Sequence, residues 1–408
     1  MINWEIFESG IESLDISPTM YEKAKTSYET VASHLKAAGL KCRIYPQGSF
    51  ALGTVVRPFK NDKDQEYDID MICEIEEEKQ KTSAENVRKD VRSGLYSYEA
   101  YLDEPIEEFD RCFTLHYTEK NGIGFNMDLV SSVHEDNDSI YALMYKGIEN
   151  EFAQQAIAIT EAKENKTVVV WHPSNPAGYK LWFDRINKPF RDYASASERR
   201  RVMKRAGTMY ASVEKVPSLL ERSALQRVIQ VLKRHRDVYY SRINNGKKEE
   251  DQLRKPISAI ITTLTAKIAQ RARADMAVYD LLQFVVQGIA THSGLLEESY
   301  ISYATLNKSQ LFMSRQEEKW TITNPVNPED NYTDSWNKDD AQCFFKWVKA
   351  VQMDFLLGAD HDQLKFITGI ERGLGIKLDA ASTSSSSSTV AVPNYKTQPV
   401  QPVKPWGE

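Results

Sequence analysis

Apolar and polar residues alternate along Tyr67-Asp68-Ile69-Asp70-Met71-Ile72-Cys73-Glu74-Ile75, and again along Phe125-Asn126-Met127-Asp128-Leu129. Successive side chains of a strand face opposite sides, so each run predicts a strand with one buried face. On that reading Tyr67, Ile69, Met71, Cys73 and Ile75 face a core, while Asp68 and Asp70 project together from the other side. Asp128 takes the same outward face of the second strand. Further strands are expected near 42–45 and 111–118, and from Thr167 to Trp171. A helix is predicted from Ser17 as N-cap and Pro18 at the first helical position, through Tyr21, Ala24, Tyr28, Val31 and Leu35, to a stop at Gly39. After about residue 195 the period becomes helical. Leu225, Val228, Ile229, Leu232 and Tyr239 make one stripe, and helices are expected near 257–271, 276–291 and 336–357.

This order of elements predicts an α+β protein. A catalytic lobe with a mixed sheet spans 1–195, a mostly helical lobe 196–378, and an extended Ser- and Pro-rich tail 379–408. A crevice between two lobes is the default place for a ligand.

If the two alternating strands are neighbours, Asp68, Asp70 and Asp128 converge. Three carboxylates that close together are tolerable around cations, and an oxygen-only ligand set favours Mg²⁺. Two such ions suit in-line phosphoryl or nucleotidyl transfer. A lone Asp-x-Asp is usually a solvated pair. Here both aspartates interrupt an otherwise apolar strand, and Gly48-Ser49 lies upstream after the short apolar run Cys42-Arg43-Ile44-Tyr45. Backbone N–H groups at such a turn can hold a phosphate.

The combination resembles the polymerase-β-like nucleotidyltransferases and, within them, the bacterial CD-NTases related to cyclic GMP-AMP synthase and oligoadenylate synthase. Gln47-Gly48-Ser49-Phe50-Ala51-Leu52-Gly53-Thr54 is similar to that family's first element, and Glu66-Tyr67-Asp68-Ile69-Asp70-Met71 to its second. Ser174 to Tyr179, Gln226 to Asp237 and Asn324 to Asn331 carry further likeness, which covers roughly residues 20 to 378. The spacer from Ser49 to Asp68 is longer than in the minimal motif and Gln47 is not apolar, but neither departure removes a ligand. The resemblance implies that Asp68, Asp70 and Asp128 bind two Mg²⁺ ions, with Mn²⁺ as the alternative, and that Gly48 and Ser49 hold donor phosphates. It also implies that Lys233 and Ser258, on two successive helices, hold the donor triphosphate. ATP, GTP or both would be joined into a cyclic di- or trinucleotide that activates a separate effector protein in antiphage (CBASS) signalling. A linear oligonucleotide synthase, a protein-nucleotidylating enzyme and a non-catalytic nucleotide sensor are the alternatives.

Composition narrows this a little. The net charge of −6, from 52 Lys and Arg against 58 Asp and Glu, argues against bulk nucleic-acid binding, which needs a dominant basic face. Basic residues cluster locally instead, at Arg199, Arg200, Arg201, Lys204 and Arg205, and at Lys233, Arg234 and Arg236, so triphosphates would meet local basic residues. The run from Arg199 to Arg205 reads as a solvated helix face or else as a ligand-facing or nucleic-acid patch. His235 reads as a packed or surface helix residue. Cys42, Cys73, Cys112 and Cys343 have no CxxC pairing, and three of them fall in predicted strands. Buried free thiols in a reducing cytoplasm are expected. No apolar stretch approaches a membrane span, and the first residues lack a signal-peptide pattern.

The tail carries a separate expectation. Ser382 to Thr389 is nearly all Ser and Thr, and Pro399 to Glu408 is Pro-rich with Trp406 near its end. In some CD-NTase systems an E1/E2-like ligase grips and conjugates the enzyme's C-terminal tail. Trp406 is the expected anchor and Gly407 the expected acceptor, although Gly407 is penultimate and Glu408 last.

Overall fold

A computed structural model describes residues 4–102, 104–117, 124–163, 166–205, 222–297, 302, 311–357 and 362–378. The tail with Trp406 and Gly407 lies outside the described residues. So do the side chains of the basic run 199–205.

One seven-stranded mixed sheet forms the first layer. Its strands are β1 (Cys42–Pro46), β2 (Tyr67–Glu78), β3 (Glu107–Glu108), β4 (Phe113–Tyr117), β5 (Phe125–His134), β6 (Ile157–Lys163) and β7 (Val168–Ser174). The order is β1-β2-β5-β4-β3, with β6 pairing to β5 and β7 to β6. The β2–β5 pair is parallel, and the other pairings are antiparallel. The odd positions of β2 behave as their alternation predicts. Ile69, Met71 and Cys73 are fully buried with Met127, Leu129, Phe113 and Leu115 against helices α2 (Pro18–Ala37) and α4 (Ala84–Tyr98). Helix α2 starts as expected, with the Ser17 side chain accepting the Met20 N–H at 3.1 Å.

The second layer is helical. After the short α3 (Gly48–Leu52) come α5 (Pro176–Arg205), α6 (Ala224–Ile243), α7 (Ser258–Ala269), α8 (Val278–Ala290), α9 (Lys338–Val351) and α10 (Gln363–Leu374). The stripe Leu225, Val228, Ile229 and Leu232 is buried in their common core. Lobe and chain order do not coincide throughout. Helix α1 (Trp4–Glu12) packs on the helical side, where Phe7 makes ring contacts with Tyr279, Phe355 and Phe366. Helix α5 runs unbroken through residue 195.

Strand β6 and helix α4 appear where no element was read, and the helix expected from about 336 begins at Lys338 with an Asn337–Asp340 capping box. Thr323 to Asn331 forms a small hairpin. Cys112 precedes β4 and is half-buried; Cys42, Cys73 and Cys343 are buried, and all four are free thiols. Among the described residues no helix is long and apolar enough to cross a membrane.

Candidate active site

The parallel pairing of β2 with β5 puts Asp70 directly opposite Asp128, and Asp68 opposite Asn126. Parallel neighbours lie about 4.8 Å apart, so two adjoining strands bring the three aspartates onto one small area. All three leave the face opposite the α2–α4 core. The next outward residues, Ile72 and Val130, make a small apolar cluster with Ile157 and Ile159 that borders the carboxylates.

Electrostatics match that crowding. Burial, then the charges of Asp128 and Asp68, push the Asp70 carboxyl up to about 7, with Lys233 pulling the other way. Burial also raises Asp128, against a hydrogen bond from Thr114. The side chains do not close into a cage. Asp128 Oδ1 accepts from the Thr114 hydroxyl at 2.5 Å, and Asp68 Oδ1 accepts from the Asn126 amide at 3.3 Å. Asp128 and Asp68 are thus each turned toward a donor of their own. Among the described residues no three His, Cys, Asp or Glu side chains converge on one cation position. The expected convergence therefore holds for the strands and not for the carboxylate oxygens. The donor set nevertheless suits hard divalent cations, being oxygen-only, on one face and carrying negative charge that its neighbours offset incompletely.

Beside the carboxylates lies a cavity of ≈ 230 Å³ between the two layers. Gly48 and Ser49 line it from the sheet side, Lys233 and Ser258 from the helical side, with Tyr179 and Asn324 among the other walls. All four residues expected to contact phosphate are thus around one space. Gly48 joins this cavity to the aspartates. Its backbone is left-handed at φ +58°, and a Cβ there would collide with the Asp70 carboxylate.

Lys233 is buried, and its Nζ donates to the Thr54 carbonyl at 3.1 Å. Burial and nearby Arg236 lower it to about 8, while Asp237, Asp70 and Asp68 work in the opposite direction. Ser258 opens α7 and its hydroxyl accepts from Arg236 at 3.1 Å.

The other basic residues of α6 correct the sequence reading. Arg234 is buried in an ion pair with Asp64 at 2.7 Å and donates to the Leu374 carbonyl at 2.7 Å. Arg236 pairs with Asp237 at 2.8 Å and donates to the Pro256 carbonyl at 3.0 Å. Both are tied to protein groups, so neither stands as a spare cation for a triphosphate. Trp182 and Phe183 are core residues, whereas Tyr179 reaches the cavity with its hydroxyl paired to Thr263 at 2.8 Å.

Residues 42–130 match the family model described as cyclic GMP-AMP synthase DncV-like, nucleotidyltransferase domain. A curated relative from Roseivirga ehrenbergii, named c-di-GMP synthase, is 23% identical over 330 residues, spanning 80% of this chain and 70% of its own. Among solved structures, the Bradyrhizobium diazoefficiens CD-NTase CdnG in complex with GTP superposes with a TM-score of 0.60. It shares 19% identity and covers 91% of this chain and 97% of its own. E. coli MS115-1 CdnC, in complex with HORMA-deltaN, gives a TM-score of 0.53 at 12% identity, covering 92% and 97%. At these identities the structures establish the fold.

Proposed function

Residues 42–130 being a DncV-like nucleotidyltransferase domain within a CD-NTase fold, we propose that the protein is a metal-dependent synthase that joins ribonucleoside triphosphates and closes them into a cyclic oligonucleotide. One observation carries the reading: Asp70 faces Asp128 across adjoining parallel strands, at the edge of a cavity lined by Gly48, Ser49, Lys233 and Ser258. The relative named c-di-GMP synthase supports a cyclic dinucleotide product, and the GTP-bound CD-NTase supports nucleoside triphosphates as substrates.

Asp68, Asp70 and Asp128 would hold two Mg²⁺ or Mn²⁺ ions. Bound there, the ions would neutralise the triphosphate and lower the pKa of the attacking ribose hydroxyl. The Gly48–Ser49 turn, Lys233 and Ser258 hold the donor phosphates in line for attack. The acceptor hydroxyl oxygen forms a bond to the donor α-phosphorus, the bond from that phosphorus to the bridging oxygen breaks, and pyrophosphate leaves. Asp128 would assist by receiving the hydroxyl proton. A second transfer of the same kind closes the ring. We further assign the product to antiphage signalling through a separate effector, with the segment bearing Trp406 and Gly407 as the handle for an E1/E2-like ligase.

Incubating purified protein with four labelled NTPs and Mg²⁺ or Mn²⁺, then resolving the nuclease-resistant products, tests the activity. A cyclic product that disappears in Asp68→Asn and Asp70→Asn is expected. A linear product points to an oligoadenylate-type synthase, and nucleotide binding without any product points to a sensor.

A further inference from the structure

One face of α6 is polar and yet buried. Gln226, Gln230, Lys233 and Arg234 follow one another at helical spacing, and none is more than 8% exposed. Each donates to a backbone carbonyl of the chain that follows the Gly48–Ser49 turn. Gln226 Nε2 reaches Leu52 O at 2.8 Å, and Gln230 Nε2 reaches Val55 O at 2.7 Å. Lys233 Nζ reaches Thr54 O at 3.1 Å, and an Arg234 guanidinium N–H reaches Arg57 O at 2.9 Å. Residues 54–58 belong to no helix or strand, so the carbonyls of Thr54, Val55 and Arg57 lack the ladder partners that a sheet would supply. Buried carbonyls left unpaired are costly, and α6 supplies the missing donors.

Thr54 is the junction. Its N–H donates to the Ser49 carbonyl at 2.9 Å, and its own carbonyl accepts the Lys233 ammonium. The peptide groups of one residue therefore connect the two sides of the phosphate cavity. Gln230 holds the adjoining carbonyl, that of Val55. Its amide also donates to Asp15 Oδ1 at 2.8 Å, and Asp15 in turn pairs with Arg227 at 2.8 Å. The amide is thus fixed from several directions and cannot follow a displaced chain.

We propose that Gln230 is a positioning residue for the donor nucleotide: by clamping Val55 to α6 it fixes the distance between the Gly48–Ser49 turn and the Lys233 ammonium. This rests on the phosphate role of Lys233 given above, and it adds that the role depends on a side chain that never touches the nucleotide. Small misplacements of positioned groups cost far more than their size suggests.

The test is a double-mutant cycle on Gln230→Met and Lys233→Met in the full chain. Its readout is the Kd of an NTP analogue with a methylene in place of the α,β-bridging oxygen, with Tm measured alongside. Each single change is expected to weaken binding about tenfold. The double variant should bind no more weakly than Lys233→Met alone, and Gln230→Met should raise KM more than it lowers kcat. A Gln230→Met protein with lowered Tm and unchanged Kd overturns the proposal, and so do two effects that multiply. Normal binding by Lys233→Met would instead sink the underlying reading of the cavity. Should Gln230→Met fail to fold, Gln230→Asn, which keeps the amide but shortens its reach, is read by the same cycle.

Discussion

Two charged constellations belong to the two layers that flank the cavity, and they are assembled on opposite terms. On the sheet, Asp68 and Asp128 each accept one side-chain hydrogen bond, and among the described residues no ion pair reaches Asp68, Asp70 or Asp128. On α6, Arg234, His235 and Arg236 each meet an acidic partner, and Arg234 and Arg236 also donate to backbone carbonyls. A buried ionisable group with complete partners holds a fold together, whereas like charges kept side by side cost stability and mark a site where something else binds. Charge alone does not separate the two in the sequence; the supply of partners does.

The largest effect that could break the contrast is on the sheet. Asp70→Asn removes a negative charge from a crowded face, so product formation should fall by about 10³-fold or more while Tm stays level or rises. The pH dependence sharpens this. Asp70 has its carboxyl raised to about 7, above its unfolded value, so the native state binds the extra proton. Its contribution to stability is full below about pH 4 and is lost as pH rises through about 7. Urea midpoints of the wild type and Asp70→Asn across that range check the sign. A variant as destabilised as one on α6 would erase the distinction.

Arg234→Met is the counterpart on the helical side. It leaves Asp64 without its closest cation and strips donors from the carbonyls of Leu374 and Arg57. Breaking a buried pair by removing one partner costs about 3 kcal/mol or more. Denaturant unfolding should show that loss, and any protein that remains folded should retain its product pattern. Unchanged stability would mean that the basic residues of α6 are not structural after all.

Legibility from sequence followed the same division. Strands β2 and β5 could be read because each buries one face, so alternation exposed the three aspartates. Strand β6 could not, since Ala156, Ile157, Ala158, Ile159 and Thr160 are all buried and leave no alternation to detect. Arg234 looked like a free cation beside Lys233 because its partners, Asp64 and the Leu374 carbonyl, lie far away in the chain, whereas the acidic partner of Arg236 is its neighbour Asp237. Lys233 could be read beside the apolar stripe of α6 and Ser258 in the first turn of α7, and it took the family resemblance to join the two placements into one expected phosphate role. The turning of Asp128 to Thr114 depends on a cross-strand register that no local pattern encodes.

A smaller test concerns the hinge of the comparison at Gly48. Its φ of +58° is strained for any other residue, and an added methyl meets the Asp70 carboxylate. Gly48→Ala should cost about 1–2 kcal/mol in unfolding free energy and weaken NTP binding, measured by denaturation and by Kd. Tight NTP binding in this variant would detach the turn from the carboxylates.

The mildest prediction gives α6 a pH dependence of the opposite sign. Trp347 Nε1–H donates to His235 Nδ1 at 3.0 Å, and the other ring nitrogen faces Asp354 Oδ2 at 3.1 Å. The tautomer that satisfies both carries its proton on Nε2, and a second proton would displace the Trp347 bond. Burial lowers the His235 pKa, with Asp354 acting against it and losing. A histidine depressed in the native state binds fewer protons there than when unfolded. Its contribution is therefore complete above about pH 6.5 and is lost as pH falls below it. Gln at this position can accept from Trp347 and donate to Asp354 without titrating. His235→Gln should accordingly keep its stability near pH 7.5 and lose less of it than the wild type near pH 5.5, read from urea midpoints at the two pH values. Identical pH slopes would show that His235 exchanges protons alike in the folded and unfolded chain, and that the apparent completeness of the α6 network has no energetic counterpart at this residue.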